Sequence, residues 1–264
     1  MFNYRSSEPI SLEHAKKIVP AIFADKPHES RSDKYVHIPT IEIVQNLLDN
    51  DFSMYALASS NTRKTDRENS KKHVIRFRHS GTTVSVGETF YELVLVNSHD
   101  GSSSLQMMAG MFRLICSNGL VVSNNTFGSF SVRHQKITMS DILNQANIIV
   151  EKSEEIYELR SEWQKIQLNY IEKYELAQAA IKLKFADRYT PITPDDFLKP
   201  RRIDDNKNDL WTVFNVIQEN LINGGISARG QRRMIRTRPI NNIYQNINFN
   251  QALWEAANKI ALEK

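Results

Sequence analysis

The chain has 264 residues, of which 41% are hydrophobic and 24% are charged, and at 30.5 kDa it is long enough to bury a sizeable core. Its 34 Lys and Arg residues exceed 30 Asp and Glu residues, so the net charge is +4 and the pI is about 9.0. Apolar runs are too short to cross a membrane, the amino terminus lacks a signal core, and the single cysteine, Cys116, excludes an internal disulfide. We therefore expect a cytoplasmic protein with no membrane partner.

Residues 1–60 predict a helical entry segment. Apolar residues at helical spacing begin at Leu12 and end before Pro20, and a second stripe runs from Ile41 to Leu48 with Thr40 as its expected N-cap. Residues 52–58 predict a short strand.

Residues 61–137 predict an antiparallel sheet. Alternating residues at 73–79 and 82–86 flank a Ser80-Gly81 turn, and β-branched or aromatic runs follow at 90–96, 105–116, 120–122 and 128–132. The pattern indicates a meander of about five strands whose pairing order the sequence leaves open.

Residues 138–264 predict helices. Thr138 to Asp141 resembles a capping box, and no Gly or Pro follows before Lys184. Apolar or aromatic residues recur every seven positions from Ile142 to Ala177. This predicts one long helix, unbroken or broken once, lying across the sheet. Further helices are predicted at 208–222 and 250–262. Strands followed by helices indicate an α+β fold, and we expect the three segments to form one continuous domain.

Positive charge is concentrated in two segments on a nearly neutral chain. Residues 221–240 contain no acid and five arginines, namely Arg229, Arg232, Arg233, Arg236 and Arg238. Planar guanidinium groups bind phosphate oxygens in pairs, so this segment predicts contact with a polyanion. The alternatives are ion pairing within the chain, for example with Glu154, Glu155 and Glu158, and binding of a protein partner.

The second basic segment, residues 61–80, has seven cations and two acids. If its strand alternates, Arg76 and Arg78 share one face while Phe77 faces the core, and the two arginines would form a second row of phosphate contacts. Tyr91 or Tyr244 could then stack on bases. A solvated loop over 63–72 is the alternative interpretation.

Candidate catalytic residues are few. His99 and Asp100 precede Gly101 and several serines, which is typical of a hairpin turn in which hydroxyls bond the local backbone. Cys116 lies in an apolar strand pattern, which favours a buried, inert thiol. No P-loop, dinucleotide fingerprint or zinc-ligand spacing is present. The sequence therefore predicts no enzyme, no metal and no cofactor.

Several motifs resemble the phage/plasmid-like family known as domain of unknown function 932. They are Asn97-Ser98-His99-Asp100-Gly101-Ser102-Ser103, then Arg113-x-x-Cys116-x-Asn118-Gly119, then Gly224-Gly225 with the Arg/Gly loop, and Asn250-x-Ala252-Leu253-Trp254. The resemblance implies a mobile-element origin and a body of sheet and helices. It supplies no reaction.

Our leading hypothesis is a mobile-element nucleic-acid-binding protein that binds or anneals single-stranded DNA and assembles into a homo-oligomer. The alternative is a phage or plasmid anti-defence protein that binds a host restriction or CRISPR complex. A third hypothesis is a metal-dependent nuclease that uses His99 and Asp100.

Overall fold

The computed structural model of the chain describes residues 4–60, 65–82, 89–113, 119–122, 129–132 and 138–264. The fold is α+β, as predicted. The residues group into two compact units: the first takes in residues 1–114 and 121–153, and the second consists mainly of residues 154–264. In the described part of the chain, no helix has the length and apolar character that crossing a membrane requires.

The first unit is built on an antiparallel sheet. Its strands are β1 (Tyr4–Arg5), β2 (Phe52–Ser59), β3 (His73–His79), β4 (Thr89–Asn97), β5 (Leu105–Arg113), β6 (Gly119–Val122) and β7 (Ser129–Val132). The order is β1 to β6, and β7 also pairs with β5. The meander prediction is therefore confirmed, with residues 4–5 added at one edge of the sheet.

The predicted hairpin partner of β3 is different from the observed one. Ser80–Thr82 forms a short 3-10 turn, and β3 pairs instead with β4, so that Arg76 lies opposite Val94 and Phe77 opposite Leu93. The other predicted strand, residues 82–86, falls almost entirely outside the described residues.

Among the described residues, three α-helices complete the first unit: α1 (Leu12–Ile18), α2 (Thr40–Leu48) and α3 (Met139–Glu151). The Thr138 capping box begins α3 as predicted, with its hydroxyl accepting from the Asp141 N–H at 3.1 Å. Helices α2 and α3 pack on the sheet. Thr40 is not the N-cap of α2, because Pro39 takes that position and the Thr40 side chain is buried.

The long helix predicted over 141–184 is divided into three: α3, α4 (Ser153–Trp163) and α5 (Tyr170–Phe185). A bridge between Gln167 and Asp209 interrupts it, and the Asn169 side chain starts α5 through a capping box with Glu172. The seven-residue stripe is accordingly not continuous, since Trp163 is fully buried while Tyr170 is 58% exposed.

The second unit is a helical cluster with a hairpin. Besides α4 and α5 it contains α6 (Pro194–Leu198), α7 (Leu210–Asn223), strands β8 (Ser227–Arg229) and β9 (Met234–Arg236), and α8 (Ile243–Leu262). Helix α8 begins seven residues before the predicted start, at the N-cap Asn242. All three tryptophans of the chain lie in its core, where the Trp163 and Trp254 rings stack at 4.2 Å and Trp211 packs against Phe214.

Candidate nucleic-acid interface

The basic segment predicted over 221–240 forms a two-stranded hairpin after helix α7. Gly224 ends the helix with φ +62°, and Gly225 follows with φ +86°. The base of the hairpin is closed by backbone hydrogen bonds of 2.9 Å from Gly225 to Thr237 and 2.8 Å from Thr237 to Ile226. The Thr237 side chain is buried beneath it and accepts from the Ile226 N–H at 3.0 Å. The hairpin is therefore anchored at its base.

Strand alternation sorts the hairpin side chains into two faces. Ser227 lies opposite Arg236 and Arg229 opposite Met234, and all four are exposed, whereas Ala228 and Ile235 are half-buried on the other face. Arg229 and Arg236 are therefore diagonal neighbours across the two strands, about 7–8 Å apart at Cα. Met234, which is 63% exposed, lies among the cations on the same face.

The remaining basic side chains of the segment lie at the turn and beyond β9. Gly230 donates its N–H to the Arg233 carbonyl at 3.0 Å, closing a turn that carries Arg232 and Arg233. A Cβ on Gly230 would lie 2.9 Å from that carbonyl oxygen, so only glycine fits there without a shift. Arg238 follows buried Thr237 and is exposed again.

The surroundings of these guanidinium groups decide what they can do. We call the five exposed residues Arg229, Arg232, Arg233, Arg236 and Arg238 the hairpin arginines. Within the described ranges, none of their side chains makes a hydrogen bond or an ion pair with another residue. The described glutamates of the predicted internal pairing, Glu155 and Glu158, form no bridge to them, and the Glu154 side chain is outside the described set. The five charges thus face solvent.

Arg76 and Arg78 lie in a different environment from the one that the sequence suggested. They do share one face of β3, and Phe77 is in the core as predicted. Both Nε atoms, however, donate to the carboxylate of Glu92, that of Arg78 at 2.8 Å, and the exposed fractions of the two side chains are only 6% and 13%. The Arg78 guanidinium also lies 4.0 Å from the Tyr55 ring centroid. Cross-strand pairing with Glu92 leaves little of either side chain accessible, which disfavours the second row of phosphate contacts predicted from the sequence.

Tyr91 does not form a stacking surface either. It is 2% exposed, and its hydroxyl donates to the Ile149 carbonyl of helix α3. The side chain of Tyr244 lies outside the described set.

The turn that carries the family-like motif is structural in the first unit. The Asp100 carboxylate accepts from the Ser102 N–H at 2.9 Å, and Gly101 has φ +72°. Burial of Asp100 opposes its ionisation, but hydrogen bonds from Ser102 and Ser98 and the charge of Arg67 outweigh that effect and lower its pKa. The predicted turn is confirmed at these positions. The Arg113 side chain, Cys116 and Asn118 lie outside the described set.

His99 belongs to a buried hydrogen-bond network centred on the Thr40 hydroxyl. The Nε2 atom of His73 lies 2.9 Å from Thr40 Oγ1, that of His99 3.2 Å, and Asn97 Nδ2 donates to the same oxygen at 2.9 Å. Because the Lys71 carbonyl can only accept, His73 donates Nδ1–H to it at 3.0 Å and its Nε2 must accept from Thr40. Thr40 then accepts from His99. Both imidazoles are fully buried, and their ring centroids lie 5.3 Å apart.

A cavity of about 530 Å³ in the first unit is lined by side chains of both signs, among them Lys16, Asp25, Lys26, His28 and Asp66. His28 Nε2 lies 3.3 Å from Asp66 Oδ2. Among the described residues, no group of three or more His, Cys, Asp or Glu side chains could hold a metal ion. The cavity therefore combines positive and negative side chains, and its described lining offers no group of metal ligands.

Sequence reasoning missed one cation at the base of the hairpin, Arg201. Its Nε donates to Asn220 Oδ1 at 2.9 Å and its Nη2 donates to the Gly224 carbonyl. The only available signal was the basic pair Arg201-Arg202 after Pro200, which the sequence alone assigns to a loop. The two residues differ, since Arg202 makes bidentate contacts of 2.6–3.1 Å with Glu219.

Comparisons with known proteins place these features in a family. The family profile described as "Domain of unknown function (DUF932)" matches residues 27–254. The chain is 36% identical over 254 residues to UPF0380 protein YfjQ of Escherichia coli strain K12, and 35% identical over 254 residues to UPF0380 protein YafZ of the same strain. Each match covers 96% of this chain and 92% of the relative. No solved structure matches.

Proposed function

The chain belongs to the family described as domain of unknown function (DUF932), and from this premise we propose that it is a nucleic-acid-binding protein that holds a phosphate backbone with its hairpin arginines. The observation that supports the proposal is the exposure of all five guanidinium groups on one anchored hairpin, with no side-chain partner in the described structure. Guanidinium forks match phosphate geometry and stay charged at every physiological pH.

The charge distribution supports a polyanionic ligand. The five hairpin arginines contribute +5 to a chain whose net charge is +4, so the rest of the chain sums to about −1. Attraction to a polyanion is therefore concentrated at the hairpin.

Single-stranded DNA is the ligand that we propose first. Met234 lies on the cationic face beside Arg229 and is largely exposed. Apolar side chains among cations can contact base faces, which are accessible in a single strand and stacked inside a duplex. We also propose that the protein belongs to a mobile element. This part of the proposal rests only on the resemblance of the sequence motifs.

The test measures binding of labelled single-stranded DNA, duplex DNA and single-stranded RNA by fluorescence anisotropy over a salt series. If all five arginines contact phosphates, the slope of log affinity against log salt for a single strand is about −0.7 per contact, or roughly −3.5 in total. Affinity should then fall about 100-fold between about 50 and 200 mM salt.

Two variants with the same five positions changed serve as a matched pair. Replacing all five arginines with Gln should remove most of the affinity and flatten the salt dependence, whereas replacing them with Lys should preserve the slope and weaken binding only partly, because the charge stays and the fork is lost. The circular dichroism spectra of both variants should match that of the wild-type protein. Wild-type protein that does not bind at low salt, or a Gln variant that binds as tightly as wild type, would overturn the proposal.

A further inference from the structure

Helix α7, the loop before it and strand β9 meet at Gly225. A Cβ built on Gly225 would lie 3.8 Å from Arg236 Nη2 and 3.9 Å from Arg201 Nη2, and it would touch nothing closer. Both guanidinium groups lie within 4 Å of one point, so their Nη2 atoms are no more than about 8 Å apart. The two arginines come from positions 35 residues apart in the chain, one before α7 and one after it.

Arg201 is held in place before any ligand arrives. Its Nε–H and one Nη2–H are bonded to Asn220 Oδ1 and the Gly224 carbonyl. Asn220 is itself buried and donates Nδ2–H to the carbonyls of Phe197 at 2.9 Å and Lys199 at 3.0 Å. Two of the five guanidinium N–H groups are therefore used, and the other three have no partner among the described residues. Little side-chain entropy is left to lose when an anion binds.

The charges at this place are not compensated by the described part of the protein. Neither Arg201 nor Arg236 forms an ion pair with a described carboxylate, whereas the adjacent Arg202 is paired with both Glu219 and Asp205. Two cations this close repel each other, and an anion between them removes the repulsion. Glycine at 225 adds no side chain beside the two guanidinium groups.

Building on the proposed function, we propose that Arg201 and Arg236 together bind one phosphodiester group of the nucleic-acid strand above Gly225. Phosphate suits this place because its oxygens accept charge-assisted hydrogen bonds of about 2.7–2.9 Å from two guanidinium groups at once. Arg201 thus extends the interface from the hairpin to its base and fixes where the strand passes.

The test is a double-mutant cycle on affinity for a single-stranded oligonucleotide, with the variants Arg201→Gln, Arg236→Gln and both together. Each single change should weaken binding by about tenfold and reduce the salt slope by about 0.7, the contribution of one phosphate. Because both residues hold the same phosphate, the double variant should resemble the single ones. Arg201→Gln combined with Arg229→Gln should instead show multiplied effects, and Lys207→Gln, which removes another exposed cation of this unit, should change little.

The outcomes separate this inference from the proposed function. The shared site is wrong if the effects of the Arg201 and Arg236 variants multiply in the double variant. It is also wrong if Arg201→Gln reduces the salt slope by more than the contribution of one phosphate, because Arg201 would then act through the position of the whole hairpin. If Arg229→Gln and Arg232→Gln weaken binding while Arg201→Gln does not, the shared site is wrong and the proposed function stands. If the wild-type protein binds no nucleic acid, both fail.

Discussion

At the scale of single residues, two arginines of this chain differ in what they can bind because their surroundings differ. Arg76 is buried and donates to Glu92, whereas Arg229 is exposed and forms no side-chain hydrogen bond or ion pair with a described residue. A buried arginine needs a carboxylate because an uncompensated charge costs several kcal/mol in the interior. An exposed arginine needs none, and it stays available for an outside phosphate.

Buried His73, which is hydrogen-bonded to Thr40, makes stability depend on pH. Burial lowers the pKa of His73 to about 4, and the hydrogen bond to the Lys71 carbonyl and the charge of Asp100 oppose this shift only in part. The ordinary value of about 6.5 applies to the unfolded chain. Between these values the unfolded state binds a proton that the folded state does not, so stability is complete above about pH 6.5 and falls as the pH is lowered towards 4.

We therefore predict that His73 contributes a loss of about 3 kcal/mol on acidification from pH 7 to pH 4. Urea unfolding followed by circular dichroism at both pH values measures the loss, and His73→Gln should make it smaller. The exposed His14→Gln serves as the control and should leave it unchanged. An equal loss in wild type and His73→Gln would contradict the assignment.

At the scale of elements, the ends of helices and strands decide where the functional groups lie. The capping residues Thr138, Asn169 and Asn242 start three of the helices, and glycines at the end of α7 turn the chain into the hairpin. Gly224 has φ +62° and ψ −147°, a region open to glycine almost alone. A Cβ there would lie 2.6 Å from the Arg238 carbonyl carbon and 2.7 Å from the Thr237 oxygen.

These two adjacent glycines give a matched comparison. Gly224→Ala combines an unfavourable φ with a collision against backbone and should cost about 3 kcal/mol or more. Gly225→Ala also has an unfavourable φ, but its Cβ would make only ordinary van der Waals contacts with Arg201 and Arg236, so it should cost about 1–2 kcal/mol. Guanidinium-induced unfolding of both variants measures the difference in the free energy of unfolding. Equal losses of stability would show that the backbone shifts to avoid the collision at no energetic cost.

At the scale of the whole molecule, the three tryptophans report on one unit only. Trp163, Trp211 and Trp254 all lie in the second unit, which also carries the hairpin. Tryptophan fluorescence therefore follows the folding of the unit that contains the proposed interface. This allows loss of binding to be distinguished from loss of structure in every variant of that unit.

Two leucines of helix α8 test this use of fluorescence. Leu253 is fully buried, so Leu253→Ala should lower the free energy of unfolding by about 2–5 kcal/mol, seen as a lower denaturant midpoint in tryptophan fluorescence. Leu262 is 80% exposed on the same helix, and Leu262→Ala should leave the midpoint nearly unchanged. Equal midpoints for the two variants would contradict the packing described for the second unit.

Sequence alone determined the features that depend on near neighbours along the chain. Alternation and turn residues predicted the meander, the Thr138 capping box predicted the start of α3, and charge counting located the hairpin arginines. These signals extend over a few residues, because hydrogen bonding at a cap and side-chain alternation in a strand are local.

Only the tertiary structure decided which charges are buried and which residues from distant segments share a surface. In the sequence Arg76 and Arg78 look like an exposed row, but Glu92 of the adjacent strand pairs with both. Arg201 looks like part of a loop, but its Nη2 atom and that of Arg236 both lie within 4 Å of a Cβ built on Gly225. The break between α4 and α5 likewise depends on a bridge between Gln167 and Asp209, more than forty residues away. Such contacts depend on which segments the fold brings together, and burial and pairing energies follow from that proximity, which no local pattern encodes.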